Sequence, residues 1–333
     1  MKFLDFFSGI GGFRLGMEQN GHECVGHCEI DKFADKSYRS MHDVKEDKWY
    51  ANDITTVEPG DLPDADCYCG GFPCQAFSIA GNRGGFEDTR GTLFFEVMRI
   101  ARIRKPKYLF LENVKGLLSH DGGRTFGTII NAMGESGYDA EWQVCNSKNF
   151  GVPQNRERVF IIGHLRGTSR PKIFPVGKGN GETTLNGCQI SNSSPREYGW
   201  HATCPTLCAR DYKDPKWVKE IVQLVRVKEA TKKGYAEARV GDSINLALPD
   251  SETRRGRVGK GVANTLDTSC NQGVFNGDRI RKLTPRECFR LQGFPDDYFD
   301  RAAEVNSDSQ LYKQAGNSVT VNVIRAIAER LGE

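Results

Sequence analysis

The stretch KFLDFFSGIGGF, Lys2 to Phe13, decides the fold. Lys2 to Phe7 is a short apolar run of strand-forming residues, and SGIGG then turns the chain into a helix that starts near Phe13. A glycine turn between strand and helix lets a ligand lie against bare backbone and the helix N-terminus. The glycines fall at 9, 11 and 12, which is not the G-x-G-x-x-G dinucleotide pattern. No phosphate-binding lysine motif accompanies them. Cys24 to Cys28 reads as a second strand ending at Glu29, where an acid can bind ribose hydroxyls. Asp53, in NDIT, is well placed to hold an adenine amino group. These features favour a cofactor that carries a nucleoside.

Further strands are expected at 66–70, 108–111 and 159–162, with helical periodicity over 93–103 and 126–133. Alternating strands and helices imply an α/β protein, a parallel sheet with helices on both faces. The rhythm stops near Arg170. From Pro171 to about Asp278 the chain is rich in Gly, Ser, Asn, Thr and Pro, with short strand-like pieces, which reads as a smaller, loop-rich, β-containing domain. Helix signals resume at Thr284, where TPRE offers an N-cap, a proline at N1 and a glutamate at N3. A last amphipathic helix is expected over Val321 to Leu331.

With 333 residues the chain can build one large domain and a smaller one. Its 38% hydrophobic and 27% charged residues describe an ordinary globular protein. No apolar run approaches the ~18 residues of a membrane span. Asp5 and the glycines break any apolar core in MKFLDFFSGIGG, so it does not read as a signal peptide. Eleven cysteines without such a signal point to a reducing cytoplasm. Arg166 to Arg290 holds 23 Lys and Arg against 13 Asp and Glu, a net +10, while the rest of the chain is at −7. A basic segment in an acidic scaffold suits a phosphate-backbone partner.

Three further segments carry chemistry. GGFPCQAFS, Gly70 to Ser78, sets Cys74 directly after a proline, a setting a nucleophile needs and a core cysteine does not. The small residues before Pro73 would let a ligand come close. Cys67 and Cys69 lie nearby, but their spacing and the lack of a fourth ligand argue for packing on one strand face, so no metal site is expected. Gly81, Gly84, Gly85 and Gly91 suit a hinged lid over 75–92. Glu112 in ENV ends a strand, facing the crevice of such a sheet. In QNRERVFIIG, Arg156 and Arg158 are two apart and would point the same way in extended chain.

In their order, these segments together with RKLTPRECFRLQGFP (281–295) and QAGNSV (314–319) resemble the DNA cytosine-5 methyltransferases of bacterial or phage type. The resemblance covers the chain except about 171–278. It implies a Rossmann-like, S-adenosylmethionine-dependent methyltransferase domain over 1–170, completed by 296–333 folding back, with a target-recognition domain over 171–295. Cys74 would be the nucleophile toward carbon 6 of a flipped cytosine, with Glu112 and Arg158 holding the ring and Arg156 beside them, holding the loop or a phosphate. The cofactor S-adenosylmethionine would lie against Phe7, Ser8, Gly9 and Gly11, with Glu29 on the ribose and Asp53 at the adenine. Ile30 and Ile54 would flank that adenine, and Pro73, Leu93, Asn317 and Ser318 would complete the pocket. Gln75, Ser78, Arg90, Arg254, Arg255, Arg257, Lys260 and Thr265 are the expected contacts to double-stranded DNA. A monomer is expected, with no membrane partner. A cognate restriction endonuclease acting on the same site would fit the resemblance, with no physical association required. A transfer-RNA methyltransferase on the same scaffold and an idle DNA-binding subunit are the alternatives.

Overall fold

β1 (Lys2–Phe6) lies inside a seven-stranded sheet and packs on both faces. Phe3 turns to one hydrophobic layer and Leu4 and Phe6 to the other, as the two-residue repeat of a strand requires. The computed structural model describes residues 1–73, 93–169, 171–176, 224–249, 251 and 253–331.

The remaining strands of the first half are β2 (Glu23–Cys28), β3 (Trp49–Ala51), β4 (Cys67–Gly71), β5 (Tyr108–Val114), β6 (Tyr138–Asn146), the short β7 (Gln154–Asn155) and β8 (Glu157–Leu165). The sheet order is β3-β2-β1-β4-β5-β8-β6. The strands from β3 to β5 are parallel, whereas β8 is antiparallel to both β5 and β6. The sheet is therefore mostly parallel, with the strand expected at 159–162 running the other way. A parallel return needs a crossover of about a dozen residues or more. Only residues 147–156 separate β6 from β8.

α1 (Gly12–Glu18), α2 (Lys32–Met41), α3 (Leu93–Arg104) and α4 (Arg124–Glu135) accompany these strands. α3 and α4 cover the Leu4 face through residues such as Phe94, Met98, Ile129 and Met133. Four more helices end the chain: α5 (Pro285–Leu291), α6 (Asp296–Val305), α7 (Asp308–Asn317) and α8 (Val321–Leu331). α5 starts on a complete capping box, in which Thr284 and Glu287 each accept the other's backbone N–H. α8 joins α1 on the Phe3 face, with Val323, Ile324 and Ile327 buried against Phe13 and Met17. The ladder of glycines on α1 allows this approach. A Cβ at Gly16 would stand 2.6 Å from Ile324 Cβ, and one at Gly12 would stand 2.8 Å from Val319 Cγ2.

The basic segment contributes short strands: β9 (Leu224–Lys228), β10 (Tyr235–Arg239), β11 (Ser243–Asn245), β12 (Val258–Gly259), β13 (Ala263–Asn264), β14 (Gln272–Phe275) and β15 (Ile280–Lys282). β9 and β10 form a hairpin, and β12-β11-β14-β15 form a small antiparallel sheet around Val227, Ala238, Ile244 and Phe275. β13 pairs in parallel with β7, which ties this segment to the strand leading into β8. Among the described residues no helix is long and apolar enough to cross a membrane.

The close helix contact sets a testable contrast. Gly16→Val forces methyl groups into Ile324 and is expected to destabilise the protein by ~1–3 kcal/mol in urea unfolding. Gly127→Ala, in α4 where a Cβ meets open space, is expected to stabilise it by ~0.5–1 kcal/mol. Equal effects at the two positions would show that α1 and α8 do not pack this closely.

Candidate active site

The sheet changes winding direction between β1 and β4, and ligands of open α/β sheets bind at the carboxyl ends of strands beside such a point. Five strand ends meet the expectation here. β1 leads into the loop Phe7 to Gly11, β2 into Glu29, β3 into Asp53, β4 into Phe72 and Pro73, and β5 carries Glu112.

The first loop is tightly curled. Phe7, Gly9 and Gly11 all have positive φ, at 52, 54 and 80°. Such a path is cheap for glycine and costly for Phe7, which the surrounding bonds must hold. Ser8 N–H donates to Cys28 O at 3.1 Å and Gly11 N–H to Ser8 O at 2.8 Å. Glu29 closes the loop from the side. Its two carboxylate oxygens accept the N–H groups of Gly9 at 2.7 Å and Asp31 at 2.8 Å. Burial pushes the Glu29 carboxyl above its ordinary range, and the two amides oppose that rise.

The surface between these elements fits a nucleoside. Nothing lies within 4 Å of a Cβ built on Gly9, so the loop is open there. Ile30, directly after Glu29, is 67% exposed, an apolar side chain at a polar strand end. Ser8 Oγ is buried without a hydrogen-bond partner. Asp53 caps a short turn by accepting Thr55 N–H at 2.9 Å. Pro73 and Asn317 are exposed, and Leu93 is half-buried at the start of α3. Ser318 is buried where α7 ends, with its Oγ 3.0 Å from a Cβ placed on Gly12. Ile54 lies deeper, 2% exposed within the core under the sheet, while Ile30 presents its side chain openly.

Glu112 and Arg158 come together as expected. Arg158 is cross-strand from Val114 in the antiparallel β5–β8 pair, which brings its side chain diagonally over Glu112. Arg158 Nε stands 3.0 Å from Glu112 Oε1, an ion pair with 16% and 10% side-chain exposure. The contact lacks hydrogen-bond alignment, so Glu112 Oε1 remains buried with no donor. Burial pushes the Glu112 carboxyl up, against the lowering pull of Arg158 and then Arg156. This is an acid held near two cations yet reluctant to ionise.

The paired glycines of GGFPC have a more specific reason than ligand access. A Cβ at Gly70 would stand 2.6 Å from Phe6 O, and one at Gly71 would stand 3.0 Å from Glu112 Oε2. The Phe6 carbonyl therefore forbids a side chain at Gly70, while one at Gly71 would require the Glu112 carboxylate to shift. Asn113, whose own role the motif ENV did not reveal, then ties the two strand ends. Its Nδ2–H donates to Phe72 O at 2.8 Å, and its Oδ1 accepts Val114 N–H at 2.8 Å. Cys74, Gln75, Ser78, Arg90 and the rest of the expected lid over 75–92 lie outside the described residues.

Two arginines are taken up by backbone, Arg156 in keeping with a role in holding a loop and Arg257 unlike the DNA contact expected of it. Arg156 does not share Arg158's direction toward Glu112. Its guanidinium donates to Leu266 O at 3.2 Å, Gly316 O at 3.1 Å and Ser318 O at 2.8 Å, so it clamps backbone and is not open to a phosphate. Arg257 is likewise enclosed, donating to the carbonyls of Lys228, Asn245 and Pro249. The basic run RRGR therefore divides. Arg254 is half-buried on Ala247 O, while Arg255 is exposed with its Nε on Ala230 O, and Lys260 is exposed. Thr265 is exposed and its Oγ1–H donates to Asn155 O at 2.7 Å, fastening it beside β7. Cys67 and Cys69 are fully buried on one face of β4 with sulfurs 3.7 Å apart.

An open α/β sheet with one reversed strand, a glycine loop and a buried acid beside an arginine define a methyltransferase of the nucleoside-cofactor type. A family model for C-5 cytosine-specific DNA methylase matches residues 1–333. The chain is 39% identical to Type II methyltransferase M.HpaII of Haemophilus parainfluenzae over 99% of this chain and 89% of that one. It is 36% identical to Type II methyltransferase M.HhaI of Haemophilus parahaemolyticus over 100% of this chain and 94% of that one. The solved structure of S. pombe Dnmt2 methyltransferase matches the fold with a TM-score of 0.60 at 17% identity, covering 100% of this chain and 98% of that one. The chain belongs to the C-5 cytosine-specific DNA methylase family and is a DNA cytosine-5 methyltransferase.

The division of the basic run can be checked directly. Arg257→Ala is expected to lower the unfolding midpoint and leave the salt slope of DNA binding unchanged. Lys260→Ala is expected to do the reverse, reducing that slope by ~0.9 for one lost phosphate contact. A normal unfolding midpoint for Arg257→Ala would contradict its placement as a clamp.

Proposed function

We propose that the protein methylates carbon 5 of a cytosine flipped out of duplex DNA, with Cys74 adding to carbon 6. The observation that carries this reading is the orphaned, buried Oε1 of Glu112 beside Arg158. A buried acceptor without a donor is costly, and a cytosine amino group or protonated N3 would satisfy it. When bound, S-adenosylmethionine supplies an electrophilic methyl group.

Carbon 5 of cytosine is a poor nucleophile. A thiolate adding at carbon 6 turns the ring into an enamine, and carbon 5 can then accept the methyl group. Loss of the carbon-5 proton and of the thiol restores the aromatic ring. Covalent catalysis thus divides one hard step into easier ones. Glu112 donates toward N3 as negative charge builds there during thiolate addition, which suits an acid whose burial favours its protonated form. Arg158 faces the cytosine carbonyl oxygen. Residues 171–295 read the target and 1–170 with 296–333 hold the cofactor. Phe7, Ser8, Gly9 and Gly11 form the cofactor floor, with Glu29 toward the ribose and Asp53 toward the adenine. Ile30, Pro73, Leu93, Asn317 and Ser318 complete the pocket. A base inside the duplex is out of reach of Cys74, so extrusion at a cost of a few kcal/mol precedes chemistry. Gln75, Ser78, Arg90, Arg255, Lys260 and Thr265 are assigned to the DNA contacts that follow.

Glu112→Gln keeps the shape of the side chain and removes the acid. It is expected to slow methylation of a duplex by ~10²–10⁴-fold. Calorimetric affinity for S-adenosylmethionine should stay within a factor of ~2, since no cofactor contact is removed. Turnover at the wild-type rate would remove Glu112 from the reaction. Equal labelling of transfer RNA and duplex DNA by the wild-type protein would overturn the DNA assignment.

A further inference from the structure

We infer that His42 is a positioning residue for the cofactor, fixing from below the glycine loop against which S-adenosylmethionine lies. The inference rests on the reading of Phe7 to Gly11 as the cofactor floor. His42 follows the last residue of α2 and is 7% exposed. Its Nε2 is 3.2 Å from the carbonyl oxygen of Ile10, so the tautomer with hydrogen on Nε2 donates to that carbonyl. Ile10 lies between Gly9 and Gly11, the two glycines of positive φ.

The imidazole also supports Gly11 by contact. A Cβ at Gly11 would collide with Nε2 and stand 2.8 Å from Cδ2. Gly11 is thus required twice, by its φ of 80° and by the ring pressed against its α-carbon. It is the N-cap of α1 and has no capping side chain, so the loop must be held some other way. The ring is packed by two aromatic neighbours, and the His42 backbone is tied separately. Its centroid is 4.9 Å from the ring of Tyr38 and 5.3 Å from that of Tyr298, and Arg14 Nη2 donates to His42 O at 3.3 Å. Burial, reinforced by the Arg14 charge, pushes His42 down to about 3. The ring therefore acts as a neutral donor at physiological pH.

Glycine-rich chain loses the most freedom on ordering, and a ligand that must order it binds more weakly. His42 holds that loop before the cofactor arrives, without touching the cofactor itself. It is a positioning residue whose loss is read in cofactor affinity and not in the chemical step.

The test uses three variants of the full chain. His42→Phe keeps an aromatic ring and loses the donor. His42→Asn carries its amide near the place of Nδ1, short of Ile10, and gives a second donor-lacking variant should the first not fold. His42→Gln returns an N–H close to the position of Nε2. Calorimetry with S-adenosylmethionine and S-adenosylhomocysteine is expected to show ~3- to 10-fold weaker binding for Phe and Asn, the scale of one hydrogen bond. The Gln variant should bind within ~2-fold of wild type. Turnover at saturating cofactor should be unchanged, and amide exchange at Gly9 to Gly12 of the cofactor-free protein should be faster in Phe and Asn. Wild-type affinity in the donor-lacking variants, or equal weakening in all three, would overturn the assignment. Absence of cofactor binding by the wild-type protein would overturn the cofactor reading itself, and His42's role with it.

Discussion

The buried guanidinium of Arg156 is the constraint on which the site's geometry depends. Its side of the molecule joins three distant parts of the chain, since Leu266, Gly316 and Ser318 all lie more than a hundred residues away. An enclosed cation without a hydrogen-bonded carboxylate partner is costly unless other acceptors meet its donors. Backbone carbonyls meet Nη1 and Nη2 while Nε stays without a partner, and in return the segment bearing Thr265 and the end of α7 bearing Asn317 are held at fixed places beside β8. Related polar bonds extend the arrangement. Gln154 Nε2–H donates to Leu291 O, Gln292 Nε2–H to Ala315 O, and Thr320 Oγ1–H to Gln292 Oε1. Buried polar networks of this kind favour one arrangement and penalise any slip.

The chemistry depends on a second, smaller constraint at the end of β5. In the proposed reaction Glu112 needs to be dry to stay protonated, and it needs cations nearby to stabilise the carboxylate left when its proton goes. Those demands oppose each other, and the antiparallel β8 reconciles them. It sets Arg158 diagonally across from the acid, close enough for attraction at 3.0 Å but not aligned as a hydrogen bond. Gly71 leaves the other carboxylate oxygen its room. Asn113 then links this strand end to Phe72, two residues before Cys74.

Much of this was legible in the sequence because local rules and the global fold agree. The strand-glycine-helix run of 2–13, the TPRE cap and the apolar stripe of 321–331 each form the elements their patterns imply. β8 was legible as a strand but not in direction, since direction depends on the length of the return from β6. β6 itself alternates charges at Asp139 and Glu141 on the sheet's edge and lacks the apolar run of an inner strand. α2 was hidden because its buried face is Ala34, Ser37, Tyr38 and Met41, which is only weakly apolar. Among the candidate site residues, Glu29 and Glu112 stand out by type and position, and Arg158 through the motif it belongs to. Arg156 and Arg257 do not, because a clamping arginine and a phosphate-binding arginine look alike until the carbonyls around them are known.

The proposed reaction turns on the attack of Cys74 on carbon 6. A duplex carrying 5-fluorocytosine at the target tests it most directly, because fluorine at carbon 5 cannot leave as a proton does and the adduct persists. After incubation with S-adenosylmethionine and proteolysis, mass spectrometry is expected to find the modified base on the peptide containing Cys74. An adduct on another residue, or methyl transfer with no covalent adduct, would contradict the account.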